Sequence, residues 1–345
     1  MDLEFFKEML STCSVSGHEI ELQKKIKKHY EPFVDTILTD YTGNLITVIN
    51  PEYSTKVLLS GHADEIGLVI TGVDPNGFIH VARAGGIYAS TYLGHQVIIR
   101  HQGKDIYGSV VITRDLAKKN VDPSDLLIDI GANSKQEALE YISIGDPIHF
   151  DSKIRELLND KLCARAIDDR GGNFICQEAI KKAKELGCEC GVYASSSCGE
   201  ETSMRGAYFA SSKVKPSMAV IVDVTYTSDY PHCDPYESGD VQLGKGPVIT
   251  HSSIVNDKMN EMLIRIAKEH NIPLQEEVWV GRTGTDGDKI HQTNEGVPVC
   301  LISLPLRYMH SPNETCDLKD VEMCIDLLAY FLCEVNNDTN LDLFA

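Results

Sequence analysis

The chain has 345 residues, of which 42% are hydrophobic and 24% charged, a balance typical of a globular protein with a sizeable core. Its 51 acidic and 32 basic residues give a formal net charge of −19, which argues against a nucleic-acid partner, because such binding relies on lysine and arginine to neutralise phosphates. No apolar run approaches the roughly 20 residues that span a bilayer, and residues 1–10 do not resemble a secretory signal, so we expect no membrane partner and a cytoplasmic location.

The eleven cysteines are scattered along the chain. Their only close pair, Cys188 and Cys190, lacks the second pair that a zinc knuckle requires. Together with the lack of a secretory signal, this pattern predicts reduced thiols in the cytosol, most of them in the core.

The first part of the chain alternates helical and strand-like patterns. Apolar residues recur at helical spacing from Glu19 to His29, which predicts an amphipathic helix, and the apolar run Val57–Leu59 predicts a buried strand. The stretch 66–155 is different, since the turn sequences Asp74–Gly77 and His101–Lys104 predict β-hairpins. We therefore predict a compact β-rich unit inserted into a larger domain, with one short helix at Lys135–Tyr141.

Beyond the insertion, helical and strand-like patterns return. Residues Gly172–Leu186 have apolar positions at helical spacing, with Gly187 as a stop. Three further apolar runs predict buried strands: Val192–Ala194, Met218–Val222 and Val297–Leu304. The predicted fold class is α/β, with a mixed-sheet domain of residues 1–65 plus 156–345 interrupted by the unit of residues 66–155.

Histidines and carboxylates follow these predicted strands. The first run leads to His62, the second leads to Glu200 and Glu201, the third ends at Asp223, and the last leads to His310. In open α/β sheets, ligand-binding groups collect outside the carboxyl ends of the strands. The pattern therefore predicts one shared site at that edge.

Each of these residues also has an ordinary structural explanation. A single loop histidine is more often a packed or surface residue than a ligand, and Asp168 with Asp169 suits a helix cap or an ion pair with Arg170. Glu200 and Glu201 suit a solvated pair at a helix start. Their repeated occurrence at strand ends favours the shared site over these explanations.

Two histidines and three carboxylates carry too much negative charge to lie together without cations, and they suit zinc, cobalt or manganese. A carboxylate such as Asp168 can bridge two ions roughly 3.5–4 Å apart. One glutamate of the pair Glu200–Glu201 can bind metal while its neighbour accepts a proton from water, and the residue types alone do not order the two. Asp64, two residues after His62, suits the role of orienting that imidazole.

Several ordered blocks of residues resemble the dinuclear metal aminopeptidases of peptidase family M42. That family includes glutamyl aminopeptidases and tetrahedral TET peptidases, and its members are sometimes labelled endoglucanases. The blocks that carry the resemblance are Ser60–Gly67, Ile128–Ala132, Ala166–Arg170, Gly199–Glu201, Arg205–Ala207, Val222–Val224, Leu243–Pro247, Gly284–Asp286 and Arg307–Pro312.

The resemblance implies two divalent metal ions per subunit, zinc or cobalt, with manganese also accepted. It assigns one ion to His62, Asp168 and Asp223, and the other to Asp168, Glu201 and His310. It assigns general acid and base catalysis to Glu200, and Asp64 completes the predicted catalytic set. It also implies an inserted β-barrel-like dimerisation domain, and a homo-oligomer in which dimers assemble into a hollow tetrahedral dodecamer that admits peptides.

The chain departs from the family pattern beside the predicted base, at Ser195–Gly199 and Thr202–Met204, and ahead of the aspartate pair at Cys163–Arg165. These departures weaken any substrate preference taken from relatives. Arg282, Arg307 and Lys289 are candidate partners for an acidic substrate side chain, or structural residues.

The predicted function is metal-dependent removal of N-terminal residues from peptides, with Glu200 as base. Other metal-dependent amide hydrolases, a deacylase or a carboxypeptidase, are the main alternatives. A glycoside hydrolase needs carboxylates about 5–10 Å apart across the scissile bond, which adjacent glutamates seldom supply. A metal-storing shell needs ligands but no free base.

Overall fold

The computed structural model describes residues 1–344, which form a mixed α/β fold with three sheets. Its strands are β1 (Thr36–Thr39), β2 (Leu45–Ile49), β3 (Lys56–His62), β4 (Gly67–Val73), β5 (Ile79–Ala84), β6 (Gln96–His101), β7 (Lys104–Val110), β8 (Leu127–Asp129), β9 (Pro147–Phe150), β10 (Arg155–Glu156), β11 (Lys161–Ala164), β12 (Gly191–Ser197), β13 (Met218–Tyr226), β14 (Val248–Ser252), β15 (Gln275–Trp279), β16 (Val299–Leu306) and β17 (Glu314–Asp317). Its helices are α1 (Leu3–Ser11), α2 (Ile20–Tyr30), α3 (Lys135–Ala138), α4 (Ile167–Leu186), α5 (Glu200–Ser203), α6 (Arg205–Val214), α7 (Asp257–Glu269), α8 (Gly287–Ile290) and α9 (Leu318–Glu334). Short 3-10 turns occupy Ala89–Tyr92, Leu116–Lys118 and Pro123–Asp125.

The largest sheet has eight strands in the order β1-β2-β12-β3-β13-β16-β14-β15. Its central strands β12, β3, β13 and β16 are parallel to one another, so their carboxyl ends meet at one edge. Three of the predicted apolar runs lie within β12, β3 and β13, the fourth overlaps β16 from Val299, and the predicted α/β class is confirmed.

Helices cover both faces of this sheet because successive strand residues point to opposite sides. In β3, Val57 and Leu59 join the core formed with α1, α2, α4 and α9, whereas Leu58 joins the core formed with α6 and α8. A strand buried on both faces reads as a continuous apolar run, which is why the sequence identified these strands. Within residues 1–344, no helix is both long and apolar enough to cross a membrane.

The chain between β3 and β10 forms a closed barrel with the strand order β4-β5-β8-β7-β6-β9. Both predicted hairpin turns join adjacent antiparallel strands, Asp74–Gly77 between β4 and β5 and His101–Lys104 between β6 and β7. The barrel has its own apolar core, and closure leaves none of its six strands with an unpaired edge. A third, three-stranded sheet has the order β10-β11-β17.

Some predicted boundaries were wrong. The strand predicted to end before Asp223 continues through it to Tyr226, so Asp223 lies inside β13. The short helix predicted to reach Tyr141 ends at Ala138. Most cysteines are buried, as predicted, and none forms a disulfide within residues 1–344.

A buried ion cluster joins the chain after β3 to α1 and α4. The Glu65 carboxylate contacts Arg165 and lies 2.5 Å from Nη2 of Arg170, whose side chain is fully buried. Arg170 also donates hydrogen bonds to the carbonyls of Met9 and Leu10 near the end of α1. The cluster therefore connects the chain that follows β3, and helix α4, to the N-terminal helix α1.

Gly61, in β3, allows α4 to pack closely against the sheet. A Cβ atom at this position would lie 2.6 Å from the backbone nitrogen of Asn173. We expect Gly61→Ala to lower the free energy of unfolding by about 1–3 kcal/mol, because backbone must move to admit the methyl group. The matched control is Gly72→Ala in β4, where no atom lies within 4 Å of the added Cβ. Equal urea midpoints for the two variants would contradict this explanation.

Candidate metal centre

A cavity of about 350 Å³ opens at the carboxyl edge of the central strands. It is lined by all the predicted metal ligands and by the predicted base: His62, Asp168, Glu200, Glu201, Asp223 and His310. Asp64, which is fully buried, does not line the cavity but contacts residues that do. The structure thus brings together side chains that are far apart in sequence.

His62 lies at the end of β3 and is 2% exposed. Its Nδ1 is 3.1 Å from the carbonyl oxygen of Asp64 and 3.4 Å from Oδ1 of the same residue. Its Nε2 faces the other way, 3.3 Å from Asp168 Oδ1 and 3.8 Å from Glu200 Oε2. Because Nδ1 is engaged by Asp64, Nε2 is the nitrogen available to a cation.

Asp64 also positions the two glutamates. Its Oδ1 accepts a hydrogen bond from the backbone N–H of Glu200 at 3.0 Å, and its Oδ2 accepts one from Glu201 at 3.2 Å. Burial opposes ionisation of Asp64, but the adjacent His62 outweighs it and lowers the pKa of the carboxyl. One carboxylate therefore orients an imidazole and holds the backbone that carries both glutamates, a wider role than the sequence predicted.

His310 approaches from the opposite side of the cavity. Its Nδ1 is 2.8 Å from the carbonyl oxygen of Gly86, which follows the barrel strand β5. Its Nε2 lies 3.2 Å from Asp168 Oδ2 and 3.9 Å from Glu201 Oε1. The barrel therefore contributes one backbone atom to this site.

Asp168 lies between the two histidines. Its Oδ1 faces His62 and its Oδ2 faces His310, each 3.2–3.3 Å from the nearer Nε2 atom. A carboxylate whose two oxygens face different imidazoles is placed to contribute one oxygen to each of two cations.

Two carboxylates that the sequence reasoning did not assign support the ligands through their backbone. Glu314 accepts hydrogen bonds from the N–H groups of Asp168 at 3.1 Å and His310 at 2.9 Å. Asp169 accepts them from His62 at 3.1 Å and Gly172 at 2.9 Å. The sequence marks these two residues only by their position: Asp169 directly follows Asp168, and Glu314 comes four residues after His310.

Two sets of three residues could each hold a cation, because the possible ligand atoms within each set lie within 4.8 Å of one another. One comprises His62, Asp168 and Glu201, and the other comprises His62, Asp169 and Asp223. The first contains His62 where the expected set has His310, and the second contains Asp169 where the expected set has Asp168. Both oxygens of Asp169 already accept backbone hydrogen bonds, from His62 and Gly172.

The electrostatics of the site fit bound cations. Burial raises the pKa of Glu201 to about 8 and that of Asp223 to about 7, and it raises the pKa of Glu200 well above its ordinary value. The Oε1 atoms of Glu200 and Glu201 are buried and accept no hydrogen bond within the described residues. These carboxylates are crowded together, and some of their oxygens accept no hydrogen bond, so their ionised forms need positive charge nearby. Divalent cations would supply that charge.

The three basic candidates for substrate recognition do not line this cavity. Arg307 pairs with Asp229, at 2.8 Å and 2.6 Å between Nε and Oδ1 and between Nη2 and Oδ2. Neither Arg282 nor Lys289 is among the residues that line the cavity. The structure therefore provides no support for recognition of an acidic substrate side chain by these residues.

The carboxyl edge of the mixed sheet thus carries a buried cluster of possible metal ligands, and a closed barrel lies in the chain between β3 and β10. Residues 43–327 match the M42 glutamyl aminopeptidase family, and the chain belongs to this family of peptidases. The fold class and the family resemblance predicted from the sequence are both confirmed.

The chain is similar to several proteins over nearly its whole length. It is 34% identical to a putative aminopeptidase of Acetivibrio thermocellus (96% of this chain, 98% of the relative) and 30% identical to a lysyl aminopeptidase of Pyrococcus furiosus (97% and 98%). A TET aminopeptidase from the marine sediment archaeon Thaumarchaeota archaeon SCGC AB-539-E09 has a TM-score of 0.92 at 30% identity, covering 97% of each chain. The TET1 peptidase of Pyrococcus horikoshii, described as assembling into a tetrahedron or a large octahedral shell, has a TM-score of 0.87 at 29% identity (96% and 99%).

Proposed function

We propose that this protein is an aminopeptidase that removes N-terminal residues from peptides with two divalent cations, zinc, cobalt or manganese, at this centre. The observation that carries the proposal is the position of Asp168 between two imidazoles, with the uncommitted carboxylate Glu200 beside them. The proposed ligands are His62, Asp168 and Asp223 for one cation, and Asp168, Glu201 and His310 for the other.

When bound, the two cations would supply Lewis acidity that polarises a scissile carbonyl and lowers the pKa of a water molecule. Glu200 acts as the general base that accepts a proton from this water and later returns it to the leaving amine. The Oε2 atom of Glu200 lies 3.8 Å from Nε2 of His62, and its Oε1 atom accepts no hydrogen bond within the described residues, so this carboxylate has an oxygen free to accept a proton. Asp64 holds the backbone of Glu200 in place.

The geometry favours this reaction over glycoside hydrolysis. Glu200 and Glu201 are adjacent in sequence, their backbone N–H groups bind the same carboxylate, Asp64, and glycoside hydrolysis has no need of His62 or His310. Hydrolysis of a glycosidic bond needs an acid and a second carboxylate flanking that bond. Deacylase and carboxypeptidase activities use the same centre, and the substrate's free α-amine separates them from an aminopeptidase.

We further propose that residues 1–65 plus 156–345 are the catalytic domain and that residues 66–155, which contain the barrel, are the dimerisation domain. The shells formed by the P. horikoshii TET1 peptidase support assembly of this chain into a homo-oligomer, with dimers building a tetrahedral dodecamer. Peptides are the proposed substrates, and the cytoplasm is the proposed location.

Metal removal tests the proposed function. We expect the chelated protein to lose most of its activity on leucyl-anilide and to regain it on addition of zinc, cobalt or manganese, because the centre cannot activate water without cations. The N-acetylated anilide is the matched substrate control and should not be cleaved. Full activity after metal removal, or equal cleavage of free and acetylated substrates, would refute an aminopeptidase that depends on metal.

A further inference from the structure

One further carboxylate, Glu277 in β15, lines the cavity that contains the candidate metal centre. It is only 2% exposed, and it belongs to neither triplet of possible ligands. The proposed reaction does not use it.

Three donors surround the Glu277 carboxylate. Thr250 Oγ1 donates to Oε1 at 2.7 Å, while Thr225 Oγ1 and Trp279 Nε1 donate to Oε2 at 2.5 Å and 2.9 Å. Donors of this kind stabilise an ionised carboxylate and fix its orientation. Since a carboxylate has about four acceptor sites, capacity remains for one donor from a bound molecule.

No cationic side chain accompanies this buried carboxylate within the described residues. Glu277 forms no ion pair with any residue of the described chain, 1–344, and the cavity lining contains neither lysine nor arginine. The two lining histidines are assigned to the metal centre. The carboxylate has hydrogen-bond donors but no cationic partner, so a cationic group that enters the cavity gains a favourable interaction there.

The walls near this carboxylate suit a long side chain with a charged tip. Met204, Val224 and Leu301 line the same cavity and offer apolar surface to a methylene stem. Trp279 also lines it, and an indole ring attracts a nearby cation. The Glu277 carboxylate at this wall disfavours an acidic side chain.

We propose that Glu277 determines specificity by accepting the cationic side chain of an N-terminal lysine or arginine. This inference rests on the proposed aminopeptidase function and adds a substrate class to it. The same ammonium chemistry is present in the free α-amine of every substrate, so the experiment must separate the side chain from the amine.

The test compares lysyl-anilide with norleucyl-anilide on the metal-loaded protein, because the two differ by the terminal ammonium and share the α-amine. We expect wild-type kcat/KM to be higher for lysine, and glutamyl-anilide to be the poorest of the three. In Glu277→Gln the ratio of lysine to norleucine should fall by roughly 10- to 100-fold, the usual range for a lost hydrogen bond between charged groups. Glu276→Gln is the matched control, since the Glu276 side chain binds His251 and does not line the cavity; it should keep the wild-type ratio.

Each outcome decides between explanations. If the wild-type protein cleaves the norleucyl and lysyl substrates with equal kcat/KM, or prefers the glutamyl substrate, the proposed role of Glu277 is wrong. The proposed aminopeptidase function is unaffected by that result. An equal loss on both substrates in Glu277→Gln assigns the carboxylate to the α-amine or to structure, and also overturns it. If no free aminoacyl-anilide is cleaved, the proposed function itself fails. The wild-type ratio needs no variant and stands even if Glu277→Gln does not fold.

Discussion

Glu200→Gln should lower kcat on a preferred aminoacyl-anilide by roughly 10²- to 10⁴-fold, the usual contribution of a general base. The amide has almost the shape of the carboxylate but cannot accept the proton from water. Because Glu200 is not among the proposed ligands, metal content per chain should remain that of the wild type. The measurement is therefore a pair: steady-state kinetics and metal analysis of the same preparation.

Glu295→Gln, an exposed change of the same chemistry, serves as the control and should leave both quantities unaltered. Near-normal turnover in Glu200→Gln would rule out the base. Loss of metal together with activity would instead place Glu200 among the ligands.

Glu65→Gln should lower the free energy of unfolding by about 3–5 kcal/mol, the range found when one partner of a buried ion pair is removed. The reason is that the guanidinium groups of Arg165 and Arg170 would stay buried without their carboxylate. The measurement is urea unfolding of the variant and the wild type, with Glu185→Gln as the exposed control on α4. A variant as stable as this control would contradict the prediction.

The pH dependence provides a second check of this cluster. Burial opposes ionisation of Glu65, but the charges of Arg165 and Arg170 outweigh it and lower its pKa to about 2. A carboxyl with a lowered pKa stabilises the fold above its ordinary value of 4.5 and loses this contribution as pH falls towards 2. The stability difference between wild type and Glu65→Gln should therefore be constant between about pH 6 and 8.

The sequence predicted the central strands well because a strand buried on both faces produces an apolar run, and the ligands follow those runs. Local pattern failed where tertiary pairing decides. Asp223 is polar, so it appeared to end a strand, yet pairing of β13 with β16 extends the strand beyond it. Cross-strand pairing is not visible in one segment alone.

Supporting and specificity residues were harder to predict for a related reason. Glu314 and Asp169 act by accepting backbone hydrogen bonds, and any acidic residue can do so once the fold brings it close. Glu277 lies on β15, the last strand in the sheet order, yet it lines the same cavity as residues of the central strands. No residue type or spacing marks such positions.

The contact between His310 and the carbonyl oxygen of Gly86 links two parts of the molecule that have separate cores. By this contact the barrel helps to orient an imidazole that we propose as a metal ligand. Linkage is reciprocal. If the contact between Gly86 and His310 raises the affinity for cations by some factor, a bound cation must stabilise that contact by the same factor. The metal concentration would then determine how stable the contact between the barrel and His310 is. A second copy of the chain that bound the barrel and stabilised this contact would in turn raise the affinity of the centre for cations.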